Sequence, residues 1–393
     1  MSAGGFTVIS LFTGAMGLDL GFELEGFAVR VAVDKDRWAA ETIKANRPSL
    51  PVIARDVTGL PTGGILGKAG LEVGEVTVLT GGPPCEPFST AGRRRGPEDR
   101  RAVAIHDFIR IINEAEPSFF VFEQVPGFTR AAKRHISFYE RIAKRPEELA
   151  PEERLGSAFE EVMAAFCATG YALNYDVLNS ADFGVPQKRR RFIIIGAKEG
   201  KPVPLPPPTH GSVESLEVAL GLRMPWTTFR KAVNRLEDPQ PEHLPFPSTW
   251  GPLLALVPPG GCWRDLPPEL HEDALGGAYD AAGSGTKGGR TGFLRRLSWD
   301  TPAPTLVDRP TTRAGCLCHP EDLRSLSVKE YARLQGFPDD WVFMGPLRAR
   351  YRLVGQATPV LLARAIAKAI KDRLEGDSRE DTVGVADVLT SKA

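Results

Sequence analysis

From its start to about Lys198 the chain alternates short runs rich in β-branched and aromatic residues with stretches of helical apolar spacing. That alternation is the pattern of a parallel sheet covered by helices on both faces, an open, doubly wound α/β domain. Strands are expected at 7–11, 29–33, 76–79, 119–122, 172–178 and 191–195, and helices near 18–24, 37–46, 105–115 and 157–169. After Lys198 the sequence turns Pro-rich and Gly-rich, at 202–208, 258–261 and 283–292, so regular structure should thin out. An amphipathic helix returns at 359–374, and a polar end follows. The expected organisation is a main domain over 1–198, a smaller irregular one over 199–349, a returning helix over 350–376 and a flexible tail over 377–393. A chain of 393 residues with 42% hydrophobic content is long enough for such a division.

Lys and Arg number 49, as do Asp and Glu, so a nucleic-acid surface must come from local clustering of charge. The five cysteines, at 85, 167, 262, 316 and 318, with no secretory pattern at the start, read as a reduced, cytoplasmic protein. No unbroken apolar run approaches the length of a bilayer span, so no membrane role is expected.

Several segments carry chemistry. In VTVLTGGPPCEPFS, from Val76, an apolar strand runs into two glycines and two prolines and then presents Cys85, at the strand end where open α/β sheets place ligands. The strand at 119–122 delivers Glu123 to a similar place, and an apolar approach favours its neutral form, able to donate a proton to a ring nitrogen. In GVPQKRRR, from Gly184, an extended backbone puts Arg189 and Arg191 on one side, suited to a carbonyl and a phosphate. Near the start, Gly14 and Gly17 join strand to helix in a turn that lets backbone approach a nucleotide-like ligand. Asp34 and Asp56 end two following apolar runs, where a carboxylate can accept from ribose hydroxyls. No P-loop is present, which suits an adenosine moiety without a polyphosphate.

With these residues assembled, the sequence resembles the bacterial cytosine-C5 DNA methyltransferase family, with its motifs in the family's order over nearly everything except about 200–290. Phe12, Gly14 and Gly17 match the cofactor loop, Pro84 and Cys85 the Pro-Cys loop, Glu123 the acidic motif, and Gln187, Arg189 and Arg191 the Gln-x-Arg-x-Arg motif. RSLSVKEYARLQGFPDDW, from Arg324, and YRLVGQATPVLLARAIAKAI, from Tyr351, match the last two. The resemblance implies a Rossmann-like S-adenosylmethionine-dependent methyltransferase domain with a smaller, irregular target-recognition domain, acting on a cytosine flipped out of double-stranded DNA. It makes Cys85 the nucleophile at C6, Glu123 the group at N3, Arg191 the partner of O2 and Arg189 a support for the intermediate or a phosphate. Ser89, Arg93, Arg94, Arg95 and Gln187 fall to the DNA side. The cofactor falls to Phe12, Gly14, Ala15, Met16, Gly17, Leu18, Asp34, Asp56, Val57, Pro84, Gln356 and Thr358, with the final helix folding back to close that pocket. The chain departs from the family pattern with Gln124 and Gln356 where Asn is usual and Met16 where a third glycine is common.

By the same resemblance the variable stretch, with Trp226, Trp250, Trp263, Arg230 and Arg264, reads base edges. A nucleoid-associated monomer with a companion restriction endonuclease completes the expectation. Cys316, Cys318 and His319 are poorly spaced for zinc, and no metal is expected. Two rival readings remain. A tRNA-acting branch of the family carries a Cys-Phe-Thr tripeptide that this chain lacks, and a silent DNA-binding relative would not need Cys85, Glu123, Arg189 and Arg191.

Overall fold

The computed structural model describes residues 5–84, 100–134, 136, 138–275, 292–312 and 315–390, excepting the side chains of 100–102, 138–139 and 377–390. The main sheet contains β1 (Thr7–Leu11), β2 (Ala28–Val33), β3 (Val52–Ile53), β4 (Val78–Gly81), β5 (Phe119–Gln124), β6 (Ala172–Asn179) and, after the two-residue β7 (Gln187–Lys188), β8 (Arg190–Ala197). Their order is β3-β2-β1-β4-β5-β8-β6. Helices α1 (Gly17–Leu24), α2 (Arg37–Asn46), α3 (Thr62–Ala69), α4 (Arg100–Ala115), α5 (Phe138–Ala143) and α6 (Ser157–Cys167) alternate with the strands.

The expected strands and helices are all present, but the sheet is not wholly parallel. β8 runs antiparallel to both β5 and β6. The link from Asn179 to Arg190 holds only one helical turn and β7, too short for the crossover that a parallel neighbour needs, so the chain doubles back. This reversal puts the start of β8 beside the end of β5. The sequence reading also missed α3, a Gly-rich helix whose Ile65 and Leu66 enter the core.

Alternation along β1 serves both faces. Ile9 and Leu11 join Phe108, Phe120, Phe122 and Phe166 on one side, while Val8 joins Phe22, Val121 and Ile193 on the other. Each fully buried Phe stabilises by roughly 2 kcal/mol.

The last helix, Val360–Thr390, returns to the first domain and lies along α1, where Gly21 lacks the side chain that would strike Ala363. Gly17 likewise admits the Thr358 carbonyl. The expected tail from 377 continues this helix to Thr390. The stretch Leu347–Gly376 has the length and composition of a membrane span, yet its most apolar window is 67% buried inside the protein.

In the second half, Trp250 and Trp263 form a separate core with Leu254, Phe293, Cys316 and Cys318. They are structural there, contrary to the expectation that they read bases. Trp226 donates to Asp182 at 2.8 Å, and Arg230 pairs with Asp300 at 2.9 Å and lies over Trp299. Cys318 donates to the Asp322 carbonyl, while His319 Nδ1 accepts from the backbone N–H groups of Glu321 and Asp322. Burial pushes the Cys318 thiol up to about 11, and Cys316 higher still. Cys167, at the end of α6, is exposed.

Candidate active site

Because β1 to β5 are parallel neighbours, their carboxyl ends open on one edge, and antiparallel β8 brings its first residues to the same edge. Glu123 leaves β5 opposite Ile193, two residues from Arg191 and on the same face of the sheet. Arg191 Nε stands 2.5 Å from Glu123 Oε1, with both side chains nearly buried. The carboxyl group thus meets a guanidinium rather than the apolar surround expected from the strand.

β4 ends beside this pair. A Cβ on Gly82 would lie 2.8 Å from Glu123 Oε2, so any side chain there would displace that carboxyl group. Gln124, buried behind Glu123, donates to the Pro83 carbonyl at 3.2 Å and accepts from Val125 N–H at 2.9 Å. The longer amide at this position therefore fits and ties the Pro83–Pro84 turn to β5. The chain then enters Cys85, which with Ser89, Arg93, Arg94 and Arg95 lies outside the described residues.

Two members of the Gln-x-Arg-x-Arg motif point into protein. Arg189 is 1% exposed and donates to the carbonyls of Leu306 and Gly355 at 2.9 and 2.8 Å. Gln187, wholly buried, donates to Gln335 Oε1 and Leu334 O and accepts from Leu306 N–H. The expected base or phosphate contact of Arg189 and DNA contact of Gln187 are corrected accordingly: both fasten the segments around 306, 335 and 355 to β7. Gln335, which the sequence reading missed, extends the network to Val354 O and Ala357 O. Its place on a strongly amphipathic helix, Val328–Gln335, was the available signal.

The cofactor loop between β1 and α1 is unusual backbone. Phe12, Gly14 and Met16 all have positive φ, at 54°, 57° and 68°. Met16 occupies the left-handed position where glycine is common, at a cost of roughly 1–2 kcal/mol, while its side chain is fully buried. Asp34 closes the turn from the end of β2, accepting from Gly14 N–H at 2.8 Å and Asp36 N–H at 2.7 Å, and burial raises its carboxyl above the ordinary range. Asp56, beyond β3, pairs with Lys35 at 2.9 Å.

The side chains of Ala15, Met16, Leu18 and Val57 are packed in the core, so a ligand at this edge meets their backbone only. Thr358 is buried against Gly17, whereas Gln356 is exposed at the end of the helix Leu347–Gln356. A left-handed loop, backbone N–H groups at a helix start and acidic groups at two further strand ends suit an adenosine linked to an amino acid. Asp19, overlooked in the sequence, is fully buried in the first turn of α1. An acid among Leu18, Leu20 and Phe22 was its signal.

Comparison with known proteins agrees with this arrangement. The family described as C-5 cytosine-specific DNA methylase matches residues 6–248 and 263–372. Type II methyltransferase M.Sau96I of Staphylococcus aureus is 33% identical over 93% of this chain and 75% of its own length. M.PspPI of a Psychrobacter strain is 34% identical over 93% and 79%. Among solved structures, the Entamoeba histolytica methyltransferase EhMeth superposes with TM-score 0.58 at 14% identity, over 94% of this chain and 99% of its own. The S. pombe Dnmt2 methyltransferase does so at 0.55 and 16%, with the same coverage. These two show the shared Rossmann-like fold. A family match over most of the chain, on a sheet edge carrying the family's motifs, makes this chain a member of the C-5 cytosine-specific DNA methylases, an enzyme that methylates C5 of cytosine in DNA from S-adenosylmethionine.

Proposed function

We propose that Cys85 is the nucleophile of this reaction, with Glu123 and Arg191 acting on the base and Gln187 and Arg189 holding the framework. The observation that carries this reading is the Glu123–Arg191 pair beside Gly82, three residues before Cys85. A flipped cytosine entering this edge meets the Cys85 thiolate at C6. As the S–C6 bond forms, the C5=C6 electron pair moves into the ring, and N3 takes a proton from Glu123. Arg191, 2.5 Å away, offsets the charge left on that carboxylate and offers a donor to O2. The cofactor, when bound, supplies an electrophilic methyl group on a sulfonium. Once C5 is alkylated, loss of its proton to water lets the C6–S bond break and returns the thiolate, and N3 gives its proton back to Glu123.

For cofactor binding, Phe12, Asp34, Asp56, Pro84 and Thr358 line the strand-end edge, and the loop 14–18 contributes backbone; Gln356 enters the pocket by its place in the last motif. Ser89, Arg93, Arg94 and Arg95 serve DNA, five arginines at 93–95, 100 and 101 making binding steeply salt-dependent. The return of the last helix to α1 supports a division into 1–198, 199–349 and a returning segment from 350, with 377–393 as its end. Relatives named Type II methyltransferases favour a restriction-modification setting with a companion endonuclease. The same reading makes the protein a cytoplasmic, nucleoid-associated monomer with no membrane role.

Covalent trapping tests the proposal. Wild-type protein, cofactor and duplex DNA containing 5-fluorocytosine should give a denaturation-resistant adduct, and Cys85→Ser none while still binding cofactor. An adduct at wild-type level in the variant rejects the assignment.

A further inference from the structure

The segment 305–312 follows a two-residue strand, Ala303–Pro304, that pairs with β7. Its start is fastened to the catalytic edge. Leu306 N–H donates to Gln187, and the Leu306 carbonyl accepts from Arg189, two residues from the Arg191 that meets Glu123. The following peptide lies against Gly355, where an added Cβ would stand 2.6 Å from the Val307 carbonyl oxygen and 3.0 Å from Asp308 N. Gly355 shortly precedes Thr358, whose carbonyl abuts Gly17 of the cofactor loop. Beyond Asp308 the segment closes on itself: Thr312 donates to the Arg309 carbonyl from its N–H at 3.3 Å and its hydroxyl at 3.1 Å, and Gly315 N–H donates back to the Thr312 carbonyl at 3.0 Å.

Arg309 therefore stands on backbone held from both sides, next to the edge that takes the base, with its side chain 78% exposed. The nearest carboxylate, on Asp308, is 3.9 Å away, at the limit of an ion pair. Other arginines of the second half are committed to the protein itself. Arg230 pairs with Asp300, Arg324 with Glu330 and Arg333 with Asp339, and Arg296 donates to the carbonyls of Val257, Pro320 and Glu321. A duplex that delivers a base to Glu123 and Arg191 runs past 305–312. A guanidinium fork on rigid backbone matches the O6 and N7 acceptors that guanine shows in the major groove.

We propose that Arg309 reads a guanine of the recognition sequence. This rests on the reading of the Glu123–Arg191 edge as the place where the base enters. It puts base readout on the loop beside the site rather than on Trp250 and Trp263, which are core.

The test maps the methylated sequence of the wild-type protein by bisulfite sequencing. It then measures methylation rates on duplexes in which each guanine of that sequence, on either strand, is replaced in turn by 7-deazaguanine, which lacks the N7 acceptor. At one guanine the replacement should slow wild-type by about tenfold or more and no longer slow Arg309→Ala, while the other replacements affect both proteins alike. Arg309→Ala should also accept other base pairs at that one position. A variant weakened equally on every duplex, with a shallower salt dependence, makes Arg309 a phosphate contact and overturns the proposal, as does a profile identical to wild-type. Selectivity can fail in this way while covalent trapping at Cys85 stands, whereas loss of trapping by wild-type protein sinks the reading of the edge together with the proposal.

Discussion

Replacing Asp19 with Asn in the cofactor-free protein should stabilise it, and by an amount that grows with pH. Burial moves the carboxyl from an ordinary 3.8 up to about 7, so the folded chain holds the proton more tightly than the unfolded chain. Stability from this group is therefore whole below the unfolded value and drains away as pH rises to about 7, beyond which the loss is complete. At about 1.4 kcal/mol per unit, the full shift corresponds to about 4 kcal/mol, roughly 3 of it lost between about pH 5 and pH 8. The residue is 0% exposed, so solvent does not screen this cost. Urea unfolding of wild-type and Asp19→Asn at several pH values measures it. The two curves should converge below about pH 4 and separate progressively as pH rises from there to about 7, with the variant the more stable. Parallel curves, or a variant less stable at alkaline pH, would refute the claim that burial outweighs the Ser10 hydroxyl in setting the Asp19 carboxyl.

Two further outcomes follow from the site. Gly82→Ala places a methyl group 2.8 Å from Glu123 Oε2 and should cut the rate of covalent trapping by about a hundredfold, with cofactor affinity, read by calorimetry, little changed; an unchanged trapping rate would show that the backbone there has room. Arg189→Met removes donors to Leu306 and Gly355 and strands two buried carbonyls, so thermal unfolding should show a loss of about 3 kcal/mol; full stability with selective loss of base binding would return Arg189 to the catalytic role first expected of it.

Much of this protein was legible in its residues. Strands such as Thr7–Leu11 and helices such as Arg37–Asn46 follow from local periodicity, because a period of two or of 3.6 is written in neighbouring side chains. The motif order put Glu123 and the cofactor loop at strand ends, where the structure has them, because each lies within a few residues of a strand written in local periodicity; Cys85 lies outside the described residues. Helix α3 escaped because its glycines mask the pattern.

What alternation cannot encode is which distant groups an inward side chain meets. Arg189 and Arg191 share a face by sequence, yet one reaches carbonyls more than a hundred residues away and the other a carboxylate on β5. The reversal of β8, the docking of the last helix on Gly17 and Gly21, and the burial of Asp19 were likewise settled by packing. They depend on how close the backbones can come and on which polar atoms are left dry once they have.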